Sequence, residues 1–328
     1  MTEGSRVNLG RMLRALVLAV VASALVYAVM VVASDGDAVL AALRQLSWGT
    51  VLAVLAMSTV AYALRGVRWG WLMGGSGHHV SVGDALYLHL SGQIMGVSPG
   101  RVGEVFKPWL AREVAGMPMS AGLALVFAER VADLIAVCIL ALGGLSIIGG
   151  GVWTVVVALG AIIAGTAVAS SRWFHALAMR ILRRQRWIQR HLESLSTIGE
   201  TLATALSWRT LVWSVPVSLV AWGLEGLGLW LLLGALGPLP LGAPAVVAAY
   251  ALATLVGAFT FLPAGIGLTE ASLAGVLVAS RVTASVASLS TLLIRVATLW
   301  WSVLLGWIAL GSRPAIARRI FAGQAVEE

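Results

Sequence analysis

The sequence "GVSPGRVGEVFKPWLAREV" (96–114) decides the fold, because it places five charged residues and a Pro-Gly pair inside an otherwise apolar chain. A second stretch, "FTFLPAGIGLTEASLAGVL" (259–277), repeats the pattern of a proline, spaced glycines and a glutamate. Of the 328 residues, 59% are hydrophobic and 11% are charged, whereas soluble domains carry about 25% charged residues. Apolar runs of about 20 residues recur along the chain. We therefore predict an all-α polytopic protein of the cell membrane.

The apolar runs predict about six full transmembrane helices and two shorter hairpins. The six spans are 12–33, 48–73, 119–148, 152–171, 210–236 and 284–311. Each quoted stretch lies in a hairpin, 81–116 or 244–280, whose second arm has about 13 residues. At about 1.5 Å per residue such an arm covers about 20 Å, less than a bilayer core of about 30 Å. The breaks therefore predict re-entrant or broken helical hairpins, with tips at Pro99, Gly100, Gly103, Pro263, Gly265 and Gly267.

The distribution of arginines predicts the orientation of the spans. Arginines precede the first span, end the second at Arg65 and Arg68, fill the basic amphipathic segment 172–209, and follow the last span. The opposite loops, including 34–47 after the first span, carry few basic residues. The positive-inside rule then places both termini and the central segment in the cytoplasm. In this orientation the first hairpin opens from the cytoplasm and the second from outside.

The two halves of the chain match in opposite orientations. "PGRVGE" (99–104) corresponds to "PAGIGLTE" (263–270), Arg130 follows the first proline by 31 residues, and Arg295 follows the second by 32. Broken helices at matching places in oppositely oriented halves are typical of transporters built from inverted repeats. We predict three units: a first repeat at 1–148, a second repeat at 149–312 and a cytoplasmic tail at 313–328.

The hairpin tips are candidate anion sites. The start of each second arm leaves backbone N–H groups free, and a helix N-terminus favours negative charge. Arg101 and Lys107 add positive charge there, whereas Glu104 and Glu270 either bind at the site or only cap their helices. Arg295 has no acidic neighbour within its own helix, so its predicted partner is one of these two glutamates. The predicted substrate-binding residues are Arg101, Glu104, Lys107, Arg130, Glu270 and Arg295.

Further charged residues lie inside predicted spans, where ionised side chains must pair or face water. Glu129 and Asp133 are four residues apart on one helix face, and Arg130 neighbours Asp133 at three apart. Glu225 is alone in its helix, so it either titrates or pairs with Arg130. Two interpretations stay open: these side chains serve a substrate, or they form ion pairs that only hold the helices together.

The sequence predicts no metal, no cofactor and no nucleic-acid site. His78 and His79 stand in a glycine-rich loop without acidic or cysteine neighbours, and the single Cys138 excludes an internal disulfide and a cysteine metal site. No phosphate-binding glycine loop or zinc-protease motif is present in the sequence. We interpret the clustered basic residues as indicators of membrane topology and not as a nucleic-acid site.

Five motifs together resemble a known membrane family. They are "RGVRWGWLM" (65–73), "SPGRVGEVFKPWLA" (98–111), "ERVADL" (129–134), "LPAGIGLTEASLAGVL" (262–277) and "LIRVATLWW" (293–301). Over about residues 10–312 the chain resembles the flippase-like integral membrane family, which includes the transmembrane flippase region of lysyl-phosphatidylglycerol synthases. The resemblance implies translocation of a phospholipid or of a polyprenyl-phosphate-linked lipid.

We therefore expect a lipid flippase whose partners are membrane lipids with anionic headgroups, with a lipid-synthesising enzyme as a candidate partner. We expect no enzymatic activity, because the motifs correspond to the membrane region of the synthases and not to their soluble aminoacyl-transferase domain. Two alternatives remain: a membrane-embedded enzyme acting on a lipid phosphate, and a structural membrane partner protein.

The central segment 172–209 should be cytoplasmic, because it carries seven arginines against two glutamates. A cysteine introduced at Gln189, with the native Cys138 replaced by alanine, should react in intact cells with a membrane-permeant maleimide and resist an impermeant one. Labelling by the impermeant reagent would overturn the predicted topology and, with it, the opposite orientation of the two halves.

Overall fold

The computed structural model describes residues 17–18, 20–21, 23–29, 36–96, 105–148, 152–169, 171, 192–258 and 265–316. Every regular element within these ranges is helical, and the chain is an all-α polytopic membrane protein. Several predicted features lie outside the described residues: Pro99, Gly100, Arg101, Gly103, Glu104, Pro263 and most of the basic segment.

Most of the described helices follow the predicted spans and hairpin arms, and two shorter ones lie between predicted spans. They are α1 (Gly36–Gln45), α2 (Trp48–Gly75), α3 (Val82–Gln93), α4 (Phe106–Ala115), α5 (Met119–Ile148), α6 (Val152–Ala169), α7 (Leu192–Ala205), α8 (Trp208–Leu236), α9 (Ala243–Ala258), α10 (Leu268–Ala279) and α11 (Ala284–Gly311). Within the described ranges, α2, α8 and α11 are long and apolar enough to cross a bilayer. The 30 residues of α5 correspond to about 45 Å of helix. The count of six full spans and the inverted repeat stay predictions.

Helix α1 corrects one expectation, because residues 34–47 were predicted to be a loop. The helix has Asp37 in its first turn and Arg44 in its last, which is the arrangement that complements the helix dipole. Its Ala42 is buried against Leu236 and Leu289. A helix of 10 residues is too short for a hydropathy run to reveal, and its packing onto α8 and α11 stabilises it.

Helices α2 and α8 form the antiparallel centre of the described fold. Hydroxyl caps start both of them: Ser47 accepts from the Thr50 N–H and Ser207 accepts from the Thr210 N–H. Val54 near the start of α2 packs beside Gly228 near the end of α8. Further along, residues late in α2 contact residues early in α8, so the two predicted repeats meet along this seam.

The two hairpins flank the α2–α8 seam. The first consists of α3 and α4, and the second of α9 and α10. At the second tip Gly265 and Gly267 have φ values of +69° and +93°, a conformation that glycine adopts without strain. A Cβ atom on Gly257 would collide with Thr269 Oγ1. The predicted tip glycines Gly265 and Gly267 are therefore needed for its backbone shape, and Gly257, which the sequence analysis did not single out, permits the close contact between α9 and α10.

Helix α11 reaches both hairpins. It is interrupted by a π-helical segment, Val296–Trp300, directly after Arg295, and such interruptions are frequent at functional sites. Before the segment, α11 packs on α10 of the second hairpin. Beyond it, Gly306 lies against the backbone of α3 in the first hairpin, near Leu90 and Ile94.

Arg65 and Arg68 require a second correction. They were interpreted as charges that flank the end of the second span and mark its cytoplasmic side. In the structure they lie within α2, are 6% and 1% exposed, and bind carboxylates. The predicted orientation therefore depends on the arginines of the central segment and of the two ends of the chain.

Gly306→Ala should destabilise the contact between α11 and the first hairpin. The added Cβ atom would lie 2.7 Å from the Leu90 carbonyl oxygen and 2.8 Å from Ile94 Cγ1. Overpacking of this kind costs about 1–3 kcal/mol, which thermal melting in detergent would detect as a lower Tm. Gly143→Ala is the matched control, because nothing lies within 4 Å of its added Cβ and alanine favours a helix. Equal Tm values for the two variants would contradict the close packing at Gly306.

Candidate functional site

A cavity of about 230 Å³ lies between the two hairpins and is also lined by α2, α5, α8 and α11. The first hairpin contributes His89, Gln93 and Lys107, and the second contributes Tyr250 and Thr269. Charged residues of the wall are basic at Arg65, Lys107, Arg130 and Arg295, and acidic at Glu129, Asp133 and Glu225. In a cavity with such walls, a polar ligand can replace its hydrogen bonds to water by contacts with charged side chains.

Arg68 links the carboxylates of α5 to the centre of the fold. Its Nη1 lies 2.8 Å from Asp133 Oδ1, and its Nη2 lies 3.0 Å from Glu129 Oε1. Ser218 of α8 contacts the same guanidinium and donates to Asp133 Oδ1 at 2.8 Å. One arginine of α2 thus joins α5 and α8 through charge-assisted hydrogen bonds, which are the strong ones.

Lys107 extends this cluster into the first hairpin. Its Nζ lies 2.7 Å from Glu129 Oε2, 2.9 Å from His89 Nδ1 and 3.7 Å from the centre of the Trp69 ring. The absence of a side chain at Gly92 leaves room for the aliphatic stem of Lys107. An ammonium group can only donate, so Nδ1 of His89 accepts from Lys107, whereas Nε2 of His89 lies 3.1 Å from the amide nitrogen of Gln93.

Glu225 pairs with Arg65, which corrects the predicted pairing with Arg130. Arg65 Nη1 lies 2.6 Å from Glu225 Oε1, and the Tyr250 hydroxyl donates to Oε2 at 2.9 Å. The Arg65 guanidinium also lies over the Trp222 ring at 4.6 Å. The antiparallel packing of α2 and α8 places Glu225 opposite Arg65, whereas Arg130 lies 3.6 Å from Asp133 of its own helix, as the spacing predicted.

Of the two glutamates predicted as partners of Arg295, Glu270 is the one that contacts it in the structure. Arg295 Nε lies 2.7 Å from Glu270 Oε1, and the other carboxylate oxygen accepts from the Gly267 N–H at 2.6 Å. Glu270 therefore caps the start of α10 and pairs with α11 at the same time. The capping interpretation of Glu270 describes the structure, whereas its role in binding a substrate stays a prediction.

The described cluster carries an excess of one positive charge. It contains five basic side chains, Arg65, Arg68, Lys107, Arg130 and Arg295, and four acidic ones, Glu129, Asp133, Glu225 and Glu270. Two of the carboxylates, Glu129 and Asp133, are each shared by two cations. Desolvated charge of one sign is costly in a membrane interior, so this excess requires contact with water or with a counter-anion.

Several residues of the site were not singled out from the sequence: His89, Gln93, Tyr62, Trp222 and Tyr250. The signal for His89 was present, because "LYLHLSGQ" (86–93) places an ionisable side chain inside an apolar segment. The aromatic residues carried no such signal, since tryptophan and tyrosine are common in membrane proteins. Within the described ranges no group of three or more His, Cys, Asp or Glu side chains is placed to hold a metal ion.

The fold and site define a class: a multi-pass helical membrane protein with a charged cavity between two hairpins. The family model of the lysylphosphatidylglycerol synthase TM region matches residues 15–306, and the chain belongs to this family. It is also similar to a UPF0104 membrane protein of Methanothermobacter thermautotrophicus, with 26% identity over 314 residues that cover 88% of this chain and 89% of the relative. The resemblance seen in the motifs is thereby confirmed along nearly the whole chain.

Arg295→Gln should lower the free energy of unfolding by about 3–5 kcal/mol, because it leaves the buried Glu270 carboxylate without its cation. Glu270→Gln should cost a similar amount while keeping an acceptor for the Gly267 N–H. The double variant should regain most of the loss, since neither charge is then left alone. Unfolding of the purified protein by SDS, followed by circular dichroism, measures all three.

The matched control is the ion pair between Arg313 and Asp84, which is similarly short at 2.6 Å but has side chains that are 34% and 29% exposed. Asp84→Asn should cost no more than about 1 kcal/mol, as for other exposed pairs. A double Arg295–Glu270 variant as unstable as the sum of its single changes would contradict a coupled buried pair.

Proposed function

We propose that this protein moves a lipid with a singly charged anionic headgroup between the two leaflets of the membrane. The observation that carries the proposal is the cavity between the hairpins, whose surrounding cluster has five basic and four acidic side chains in the described residues. A phosphodiester bears a single negative charge at neutral pH and would neutralise this excess. Membership of the family supports a membrane role and is compatible with lipid transport.

The size of the cavity supports a headgroup ligand. Its volume of about 230 Å³ is smaller than the pockets of about 300–1,000 Å³ that hold drug-sized ligands. This volume admits a small phosphate ester but not two acyl chains. In the proposed mechanism the headgroup therefore occupies the cavity while the chains remain in the hydrocarbon of the bilayer.

Arg130 is the side chain that we propose contacts the headgroup first. It lines the cavity, its side chain is 39% exposed, and its distance of 3.6 Å from Asp133 is the longest among the arginine–carboxylate pairs of the described cluster. Lys107 and Arg295 are held more tightly, at 2.7 Å from their carboxylates. They would attract the anion through the potential that they add to the cavity. Arg101 and Glu104 remain sequence-based candidates outside the described residues.

Alternating access follows from the two hairpins in this proposal. Both hairpins line the same cavity, and the sequence predicts that they enter the membrane from opposite sides. Rocking of one half against the other along the α2–α8 seam would expose the cavity to each leaflet in turn, as in other transporters of inverted repeats. The proposed orientation has both termini and the central segment in the cytoplasm.

The test of the function is leaflet exchange in proteoliposomes made with fluorescent phosphatidylglycerol or phosphatidylcholine. The wild type should exchange the anionic lipid faster than protein-free vesicles, and the mass of the lipid should not change. A change of lipid mass would favour the alternative of an enzyme acting on a lipid phosphate. Unaltered lipid with no exchange of any anionic lipid tested would favour the structural alternative.

Arg130→Gln should slow the initial exchange of phosphatidylglycerol about 10- to 100-fold, the loss expected for one hydrogen bond to a charged group. Arg130→Lys should lose less, because it keeps the charge but not the forked geometry. Arg281→Gln is the matched control, since it removes an exposed arginine from a turn away from the cavity. Equal rates for wild type, Gln and Lys forms at the same protein density would eliminate the role of Arg130.

A further inference from the structure

A second cavity, of about 520 Å³, lies where the end of α2 meets the start of α8. Its rim and sides are formed by Trp71, Leu72, Arg209, Thr210 and Trp213, and its floor by Arg68 and Ser214. No step of the proposed translocation uses this cavity. Its residues combine apolar aromatic surface with basic and hydroxyl groups, which is the chemistry that an amphipathic ligand requires.

The floor holds polar atoms without partners. The Ser214 hydroxyl is buried, as is Nε of Arg68, and neither atom has a hydrogen-bond partner in the structure. Buried polar groups are nearly always satisfied by protein, water or a ligand. Arg68 is 1% exposed and Ser214 is 4% exposed, so the ligand that would satisfy them has to reach into the cavity.

The rim has the composition of a membrane interface. Trp71 and Trp213 are 58% and 70% exposed. They lie four and five residues from the helix ends Gly75 and Trp208, a depth of about 6–8 Å at about 1.5 Å per residue. Tryptophan prefers this level of the bilayer, where phosphate groups and the first methylenes of the chains are found. Arg209 is exposed beside them and has no carboxylate within ion-pairing distance in the described part of the chain.

We propose that this cavity is a binding site for an anionic phospholipid of the surrounding leaflet. The lipid phosphate binds Arg209, the glycerol oxygens satisfy Ser214 and the Arg68 Nε–H, and an acyl chain lies along Trp71 and Trp213. Arg209 and Ser214 line the same cavity and are five residues apart on α8, about 7.5 Å along the helix axis, a distance that a phosphate and its glycerol can span together.

Arg68 connects this lipid site to the central cavity. Its side chain lines the second cavity, whereas its Nη atoms bind Glu129 and Asp133, which line the first. A lipid at Arg209 is therefore one side chain away from the charged cluster. The second cavity is then the site where a lipid docks before translocation. That role rests on the proposed function, whereas binding of a lipid in the cavity does not.

Binding is tested with the full chain in nanodiscs of phosphatidylcholine, titrated with phosphatidylglycerol brominated near the headgroup end of its chains. Bromine quenches nearby tryptophans, and the quenched signal should fall in Trp71→Phe and Trp213→Phe, which assigns it to this cavity. Arg209→Gln should raise the concentration of brominated phosphatidylglycerol at half-maximal quenching about tenfold. The corresponding concentration of brominated phosphatidylcholine should change less than twofold. Arg44→Gln, an exposed arginine in the last turn of α1, is the matched control and should change neither.

Ser214→Ala separates a ligand role from a structural one. Removing a buried hydroxyl that has no partner should leave the Tm of the lipid-free protein unchanged or raise it. It should also reduce the increase in Tm that phosphatidylglycerol produces in the wild type by at least half. A variant with the same lipid-dependent increase as wild type would overturn the assignment of Ser214.

Three further outcomes decide the proposal. If quenching is equal for Arg209→Gln and wild type, the site does not bind an anionic lipid. If water-soluble glycerol phosphate raises the Tm as much as phosphatidylglycerol does, the cavity is a small-anion site and the lipid proposal is wrong. If Arg130→Gln abolishes leaflet exchange but keeps the quenching, or if the wild type shows quenching without exchange, the lipid site stands independently of the proposed function.

Discussion

The fold depends on the burial of Arg68 between two carboxylates of α5. A guanidinium inside an apolar bundle is costly unless every charge near it is compensated. Glu129 and Asp133 supply that compensation from one helix face, and the second oxygen of each carboxylate pairs with Lys107 or Arg130. The same arginine holds α2 to α5 and, through Ser218, to α8. The positions of the first hairpin and of the central cavity follow from this network.

The same network would allow one set of side chains to fix the arrangement of the helices and, in the proposed function, to receive an anion. Buried ion pairs contribute little net stability, because desolvation offsets most of their attraction. Their value here is geometric, since they keep cations at the cavity wall in a fixed arrangement. An anion that enters such a site meets donors already oriented, which lowers the entropic cost of binding.

Sequence reasoning found the parts of the structure that local chemistry determines. Hydropathy and the caps at Ser47 and Ser207 set the helices, and α2, α5 and α11 agree with their predicted spans to within two residues. Glu270 could be named as one of two candidate partners of Arg295 because few carboxylates occur in the apolar part of the chain. Long-range docking determines the rest: Arg65 meets Glu225, 160 residues away, only because α2 and α8 pack antiparallel. Arg68 lies near the end of a span, where a charge normally marks topology.

The π-helical segment of α11 determines how far the side chains at one end of that helix are rotated about its axis relative to those at the other end. A π turn contains one residue more than an α turn, and one residue corresponds to about 100° of rotation. Arg295 precedes the segment and points to Glu270, whereas Gly306 follows it and lies on α3. A regular helix of the same residues would rotate one of these two contacts away from its hairpin by about 100°. The extra residue therefore rotates one half of α11 relative to the other, so that a single helix contacts two hairpins that lie on different sides of it.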